Sequence, residues 1–405
     1  MADIRMFSVR VLPQMPDFEL LHLLAEVGVD PLARENLLHK MKHVNIHLAG
    51  IECRAANIIK QEMLSLGADA AVARDAVSCR IPTTDVVLMG TVKQLRLFVR
   101  RIKAQPFGLK RLSDHLSAVM QDYEADRFVW RTSQREISFA KKTRIMGILN
   151  VTPDSFSDGG KFLQIDAAVE RALDMIVEGA DIIDIGGESS RPGARRISAE
   201  EEIRRVIPVI EGIRERVDVP VSVDTMKAVV AQRAVEAGAE IINDISAMTS
   251  DSQMAAVVAE TKAAVVFMHK QGEPETMQDA PAYHDLLGEM TNYLSRRIRD
   301  ALSCGIQKEK IIVDPGIGFG KTVEHNLNIL RYLRELKVWG RPILVGVSRK
   351  SFIGALTDME PNEREEGTIA AMVAAIMNGA SMVRIHDIQK MKRAITVADA
   401  IVHGQ

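Results

Sequence analysis

The sequence predicts an α/β chain, a (β/α)8 barrel preceded by a small separate α/β domain. Three observations carry that reading. Short runs rich in Val and Ile, each ending in polar residues, recur eight times over the carboxy-terminal two-thirds. Apolar runs this short and this continuous are how strands covered on both faces read. Between them lie stretches of helical period, clearest at 167–178 and 228–237, with apolar residues recurring at three and four positions. The length, 405 residues, exceeds one ordinary domain and suits two. Strand–helix alternation repeated eight times indicates a barrel. An open doubly wound sheet is the alternative that pattern alone leaves.

In chain order, residues 1–126 read as the small α/β unit. Apolar strands are expected near 7–12, 44–49 and 86–89, and helices near 18–27, 55–66, 92–102 and 109–123. A short hairpin, 128–131 and 135–139 around the polar turn Thr132-Ser133-Gln134, is placed to cap the bottom of the barrel. The domain boundary is therefore set near Arg127, and the linker is not low-complexity, so the two units are expected to pack together. The barrel strands follow at 144–150, 181–187, 219–225, 240–246, 263–269, 310–315, 342–350 and 381–387. Gly-Ala-Asp at 179–181, Gly-Ala-Glu at 238–240 and Gly-Ala-Ser at 379–381 mark helix-to-strand joints. Glycine suits the left-handed residue that ends a helix there.

Composition narrows the class of protein. With 47% hydrophobic and 26% charged residues the chain has the make-up of a globular protein with a sizeable core. Fifty-two Lys and Arg against 54 Asp and Glu give a net charge of −2, which argues against a general nucleic-acid surface and leaves room for a local basic pocket. Three widely spaced cysteines, Cys53, Cys79 and Cys304, do not make a disulfide framework or a CxxC knuckle. They read as buried small hydrophobes in a reducing compartment. No apolar run reaches the ~20 residues of a membrane span, and the amino terminus has no apolar core followed by a cleavage site, so a cytoplasmic location is expected.

Polar residues stand at all eight strand ends: Asn150; Asp184 with Glu188; Asp224; Asn243 with Asp244; His269; Asp314; Ser348-Arg349-Lys350; and Arg384 with His386. One Asp or Asn alone reads as a turn or helix cap. Eight ends converging on one barrel mouth read as a single polar pocket. Asp and Asn suit a hydrogen-bonding heterocycle, and the Arg, Lys and His groups suit an anion. The longest loops, 152–162 and 188–196, are rich in Gly, Pro and Ser and read as lids or ordinary surface loops. The run Asp314-Pro315-Gly316-Ile317-Gly318-Phe319-Gly320-Lys321-Thr322 ends like a P-loop, but Pro315 holds the first glycine position. Its glycines are expected to let the backbone lie close to a flat ligand beside Asp314. His39, His43 and His47 would share one face of a helix as a metal arrangement, but 44–49 also reads as a strand, and no acidic or cysteine ligand matches the spacing.

The motif Met146-Gly-Ile-Leu-Asn150-Val-Thr-Pro-Asp-Ser-Phe156-Ser-Asp158 resembles the first strand and loop of dihydropteroate synthase. Asp184-Ile-Gly-Gly-Glu188-Ser-Ser190-Arg191-Pro192 is similar to its second. Further matches follow in order at Ser222-Val-Asp224, Asn243-Asp244, Asp314 to Gly320, Ser348-Arg-Lys350-Ser351 and Arg384-Ile-His386-Asp387. The resemblance spans about 127–405. It implies a (β/α)8 transferase using Mg²⁺, a sulfonamide target, that joins 6-hydroxymethyl-7,8-dihydropterin diphosphate to p-aminobenzoate. The products are 7,8-dihydropteroate and diphosphate.

The resemblance also implies roles. Asp224, Asn243, Asp314 and Lys350 would hold the pterin edge, with Met268 and Arg384 on its faces. Asn150 would contact Mg²⁺ and the diphosphate, which Arg191, Arg384 and His386 would clamp. Phe156, Ser190, Pro192, Phe319, Lys350 and Ser351 would form the p-aminobenzoate pocket. Asp224, Lys350, Arg191 and the loop residue Asp158 would be catalytic, and a homodimer is implied. Ser190 stands where the family commonly has Thr, and Lys270 where an apolar residue is commoner. Residues 1–126 fall outside the resemblance and carry none of the motifs of the fused folate-pathway pyrophosphokinase or aldolase. A corrinoid-linked methyltetrahydrofolate methyltransferase would share the Asp and Asn pattern but not Phe156-Ser-Asp158 or Ser190-Arg191-Pro192. A non-catalytic pterin-binding homologue should have lost one of Asn150, Arg191, Asp224, Lys350 or His386, and all are present.

Overall fold

A computed structural model of the chain describes residues 9–125, 127–140, 142–151, 161–189, 196–272, 276–278 and 280–404. It divides into two compact units, Met1–Met120 and Gln121–Gln405. The division falls a few residues ahead of Arg127, within the helix Leu109–Glu124.

In the first unit, helices Asp17–Glu26 and Pro31–Met41 precede β1 (His43–Glu52), the helix Cys53–Ser65, β2 (Asp69–Val72) and β3 (Thr83–Thr91). Helices Val92–Ile102 and Leu109–Glu124 follow. The sheet order is β1-β3-β2, with both pairings antiparallel. β1 and β2 are therefore parallel, joined by a crossover helix around the central β3, a split β-α-β arrangement. Its core joins Leu48, Val86 and Leu88 of the sheet to Ile59, Met63, Leu95, Phe98 and Ile102 of the helices.

The structure differs from the sequence reading of this unit at its start, and bears out the strand reading of 44–49 against a shared histidine face. Residues 9–12 form no strand, and Val9 and Val11 are exposed; alternation that buries no apolar face gains nothing from pairing. Residues 7 and 8 lie outside the described residues. The helix Pro31–Met41 went unpredicted although Asp30 caps it, accepting from Leu32 N at 2.8 Å with Pro at the first position. His39 sits on that helix and His43 and His47 on β1, so the three share no helical face. His47 Nε2 lies 3.2 Å from Asp85 and His39 Nε2 lies 3.1 Å from Arg96. Of the cysteines only Cys53 is buried; Cys79 and Cys304 are exposed.

The second unit opens with the hairpin β4 (Val129–Arg131) and β5 (Glu136–Ser138). Eight parallel strands follow: β6 (Arg144–Asn150), β7 (Ile182–Gly186), β8 (Val221–Asp224), β9 (Ile241–Asp244), β10 (Ala264–Met268), β11 (Ile311–Asp314), β12 (Leu344–Val345) and β13 (Met382–Ile385). Their order is β11-β10-β9-β8-β7-β6-β13-β12. A parallel bridge between Val313 and Ile343 brings the two ends of that order together. This is the (β/α)8 barrel, not the open sheet. Helices such as Lys161–Glu178 and Ala199–Arg214 cover the outer strand faces, packing on Ile145, Ile183, Val221, Ile242 and Val265. Inside, Trp130, Ile137 and Phe139 of the hairpin plug the strand starts as expected, packing on Met146, Ile182, Ile241, Ile312 and Met382. Trp130 Nε1 donates to the Lys310 carbonyl at 2.9 Å.

Candidate active site

Side chains alternate across a strand, so the plugged positions fix which residues face inward further along. Counting by twos from Met146, Ile182, Ile241, Ala264, Ile312 and Met382 reaches Asn150, Asp184, Asn243, Met268, Asp314 and Arg384. Asp224 faces inward too, because Val221 and Val223 belong to the outer core. The same sequence rule that makes the bottom of the barrel apolar makes its mouth polar.

Arg384 ties the mouth together. Its Nε donates to Asp184 Oδ2 at 2.6 Å and its Nη2 to Asp224 Oδ2 at 2.8 Å. Asn243 Nδ2 donates to the same Asp184 oxygen at 3.0 Å. Asp184 is fully buried, and its other oxygen meets no donor among the described residues. Burial pushes the Asp224 carboxyl up to about 7, against the pull of Arg384 and helped by repulsion from Asp184. Burial also raises Asp314, although Gly316 N–H donates to it at 2.7 Å and the Lys350 charge favours its ionised form. Lys350 is pushed by burial down to about 8, against the attraction of Asp314. Shifts in opposite directions on neighbouring acids and bases are a mark of functional sites.

Lys350 Nζ stands 3.9 Å above the Phe319 ring centroid, a cation–π contact. Phe319 packs with Met268, Met277 and Ile245. Ser351 is exposed at the start of the helix Ser351–Thr357, and His386 Nδ1 lies 2.9 Å from Ser348 Oγ. Asn150 is half-buried beside Gly186. Phe156, Asp158, Ser190, Arg191 and Pro192 lie outside the described residues.

The strand-end list contains groups that serve elsewhere. Asp244 accepts from Ser246 N, Ser246 Oγ and Met248 N, capping the turn after β9. Arg349 is engaged by Asp387 at 2.7 Å, and Glu188 is paired with Lys227, which also holds the buried Glu202. His269 is buried and pushed down to about 2 by burial and by the Lys321 charge, so it brings no charge to an anion. Lys321 is not a P-loop lysine: its Nζ is buried and donates to the Phe319 and His269 carbonyls at 3.0 and 3.2 Å.

The glycines of this loop also work differently from the expectation. A Cβ on Gly316 would stand 2.0 Å from the His269 carbonyl oxygen, and one on Gly320 2.3 Å from that of Gln271. With φ of +69° and +62°, both admit the close approach of the chain that leaves β10, not only of a ligand. Two residues matter more here than the sequence alone indicates. Asp184 belongs to the network at the mouth, and its inward parity along β7 is the signal that could reveal it. Lys321 stands at the tail of Gly-Lys-Thr, and nothing local signals its burial.

Fold and site together define an enzyme of the parallel (β/α)8-barrel class with its charge concentrated at the strand carboxyl ends. The family model described as "Pterin binding enzyme" matches residues 146–386. A dihydropteroate synthase of Synechocystis is 49% identical over 269 residues, covering 66% of this chain and 93% of that protein. The Yersinia pestis dihydropteroate synthase, solved with a sulfonamide drug complex, superposes with a TM-score of 0.64 at 41% identity, covering 68% of this chain and 99% of that one. The Xanthomonas albilineans enzyme, solved with 4-aminobenzoic acid, gives 0.64 at 43% identity, covering 68% and 98%. The chain belongs to the pterin-binding enzyme family, among its dihydropteroate synthases, which are transferases. Residues 1–145 lie outside the family match. No helix of the described residues is long and apolar enough to cross a membrane.

Proposed function

We propose that this mouth condenses 6-hydroxymethyl-7,8-dihydropterin diphosphate with p-aminobenzoate by a dissociative substitution at the pterin methylene. The observation that carries the reading is the Asp184–Arg384–Asp224 network with Asn243, Asp314 and Lys350 around it. The carboxylates of Asp224 and Asp314 accept from the donor-rich aminopyrimidine edge, while Asn243 and Lys350 donate to its acceptors. Arg384, its fork fixed by two carboxylates, offers a planar cationic face to the ring opposite Met268. Negative charge on Asp224 stabilises the cation that develops as the carbon–oxygen bond to diphosphate breaks. Diphosphate takes the electron pair of that bond, the amine nitrogen forms its bond to the same carbon, and the nitrogen gives up one proton to the released diphosphate or to water.

His386 and Arg384, with Arg191 by resemblance, attract the leaving diphosphate. Phe319 and Ser351, with Phe156, Ser190 and Pro192 by resemblance, receive p-aminobenzoate, and Asp158 acts beside the reacting carbon. Among the described residues no group of three His, Cys, Asp or Glu side chains could hold a metal. The available donor is the neutral Asn150 amide oxygen. That sparse set suits Mg²⁺, which keeps water and substrate phosphates as most of its ligands. When bound at Asn150 the ion would supply charge neutralisation to the diphosphate.

Three further parts belong to the proposal: a cytoplasmic location, a homodimer, and a packing or oligomer role for residues 1–126. An apolar groove lined by Leu327, Leu330, Leu356, Ala371 and Ala374 supports the dimer as a surface for a second copy. The direct test is purified chain with Mg²⁺, pterin diphosphate and labelled p-aminobenzoate, following dihydropteroate and released diphosphate. No product at saturation of both substrates would sink the reading. A chain starting at Gln121 tests the amino-terminal role. Its sedimentation or its turnover should differ from the full chain, and identity in both would refute that role.

A further inference from the structure

Two of the three cysteines, 26 positions apart in sequence, meet in the amino-terminal unit. Cys53 opens the helix Cys53–Ser65 and is buried; Cys79 lies on the exposed turn before β3. Their sulfurs stand 2.7 Å apart, closer than two non-bonded sulfurs sit at rest. The turn is built to bring them there. Cys79 N–H donates to the Ala76 carbonyl and Arg80 N–H to that of Asp75, at 3.1 and 3.2 Å. Cys79 itself takes φ +48°, a left-handed conformation uncommon for a residue with a side chain. The other side of the contact is equally fixed. Cys53 N–H donates to the Pro82 carbonyl at 3.1 Å, and Cys53 Sγ donates to the Ala76 carbonyl at 2.6 Å. Asn57 Nδ2 donates to that same carbonyl at 2.9 Å and reaches Cys79 Sγ at 3.7 Å.

We infer that Cys53 and Cys79 form a reversible dithiol–disulfide site whose substrates are low-molecular-weight disulfides of the glutathione type. The two thiols have unequal access, which sets the order of events. The exposed Cys79 thiolate attacks one sulfur of the incoming disulfide; the sulfur–sulfur bond breaks and one thiolate leaves, taking up the proton Cys79 lost. Cys53, already in contact, attacks Cys79 Sγ in the resulting mixed disulfide and expels the second thiolate, which takes the Cys53 proton. One small disulfide is reduced to two thiols while the protein pair is oxidised to one disulfide. The product ties the turn before β3 to the first turn of the helix Cys53–Ser65. Cys304 follows the helix Leu286–Ser303 in the second unit.

The test uses the full chain carrying Cys304→Ser, incubated with oxidised glutathione, then alkylated and mapped by mass spectrometry. The expected product is a linked Cys53–Cys79 peptide pair that retains no glutathione, with the thiol count falling from two to zero and restored by dithiothreitol. Cys53→Ser should stop at a glutathione adduct on Cys79. Cys79→Ser should leave Cys53 modified at least about ten-fold more slowly, since it is shielded. A glutathione adduct that persists on Cys79 while Cys53 stays alkylatable would overturn the inference. So would two free thiols after prolonged oxidation, or equal rates in the two single variants. Cys79→Ser changes only an exposed side chain, so the test stands even where a substitution at buried Cys53 disturbs folding.

Discussion

The two ends of the barrel use the same buried ingredients to opposite effect. At the bottom, Glu240 is fully buried, yet Arg135 Nη2 stands 2.8 Å from it and Thr132 Oγ1 donates to it at 2.7 Å, with Arg214 close by. Asp181 is likewise shared by Lys142, Arg144 and the Ile145 N–H. At the mouth, one arginine serves two carboxylates, an Asp184 oxygen meets no donor among the described residues, and Asp224, Asp314 and Lys350 are all driven toward their neutral forms. At the bottom each of these carboxylates has two cations beside it, while at the mouth two carboxylates share one. A ligand that donates to the carboxylates and accepts from Lys350 would complete the mouth; at the bottom one Glu240 oxygen also lacks a well-aligned donor, but it already lies 2.8 Å from the Arg135 guanidinium. Lys310 is the partial exception below: burial lowers it, and it spends its donors on the Lys262 and Thr132 carbonyls.

The comparison separates stability from activity, and substitutions at each end should show it. Glu240→Ala should lower folding stability by about 3 kcal/mol, the low end for breaking a buried pair, because Arg135 and Arg214 keep access to water and Asp218. Urea unfolding measures it, and kcat of the folded fraction should be unchanged. A loss of kcat matching that of a mouth variant would break the contrast.

Asp224→Asn should do the reverse. Losing the charge that faces the developing cation should lower kcat/KM by roughly a hundred-fold, about 2.7 kcal/mol of transition-state stabilisation. The folded state should be no less stable, since a buried repulsion with Asp184 is relieved. Unfolding and steady-state kinetics on the same preparation decide it; a stability loss with intact turnover would assign Asp224 to structure. Lys350→Ala should act on binding, weakening the pterin dissociation constant by ~1.5–3 kcal/mol, the worth of a charge-assisted hydrogen bond. Calorimetry with a pterin ligand checks it, and an unchanged constant would remove Lys350 from the pocket.

Much of this division was legible in the sequence, for a physical reason. Strands buried on both faces must be apolar along their length, so runs such as Ile311–Asp314 stand out, and the polar residue that ends each run marks the mouth. Asp224, Asn243, Asp314, Lys350 and Arg384 stand at such run ends and meet at the mouth. What the pattern could not show was which end residues turn away. Asp244 serves its own turn, and His269 is claimed by Lys321, a residue far along the chain. The run at 342–350 reads as a long strand but yields only Leu344–Val345, because its second half is the turn that aims Lys350. In the amino-terminal unit the alternation at 9–12 promises a strand, and only pairing partners, invisible locally, decide that none forms. The meeting of Cys53 with Cys79 is equally long-range.

The pH dependence of stability sharpens the contrast at the mouth. Asp224 is raised, so from about pH 4, where a free carboxyl titrates, up to about 7 the folded chain holds a proton that the unfolded chain has released. Its contribution is therefore greatest below pH 4 and is lost as pH rises through that window. Lys350 is lowered to about 8, so between there and the ordinary lysine range the folded chain has released a proton that the unfolded chain keeps, and stability climbs again with pH. The unliganded mouth is thus least favourable between pH 7 and 8, where both groups are charged. Urea midpoints measured from pH 4.5 to 7.5 should fall more steeply for the unaltered chain than for Asp224→Asn, and parallel curves would show that Asp224 is not the frustrated group. A pterin edge that donates to the ionised carboxylate should reverse the trend, so its affinity should rise with pH from 5.5 to 7.5. Completing the open charge is then a binding force that the bottom, its carboxylates already paired with arginine and lysine, does not offer.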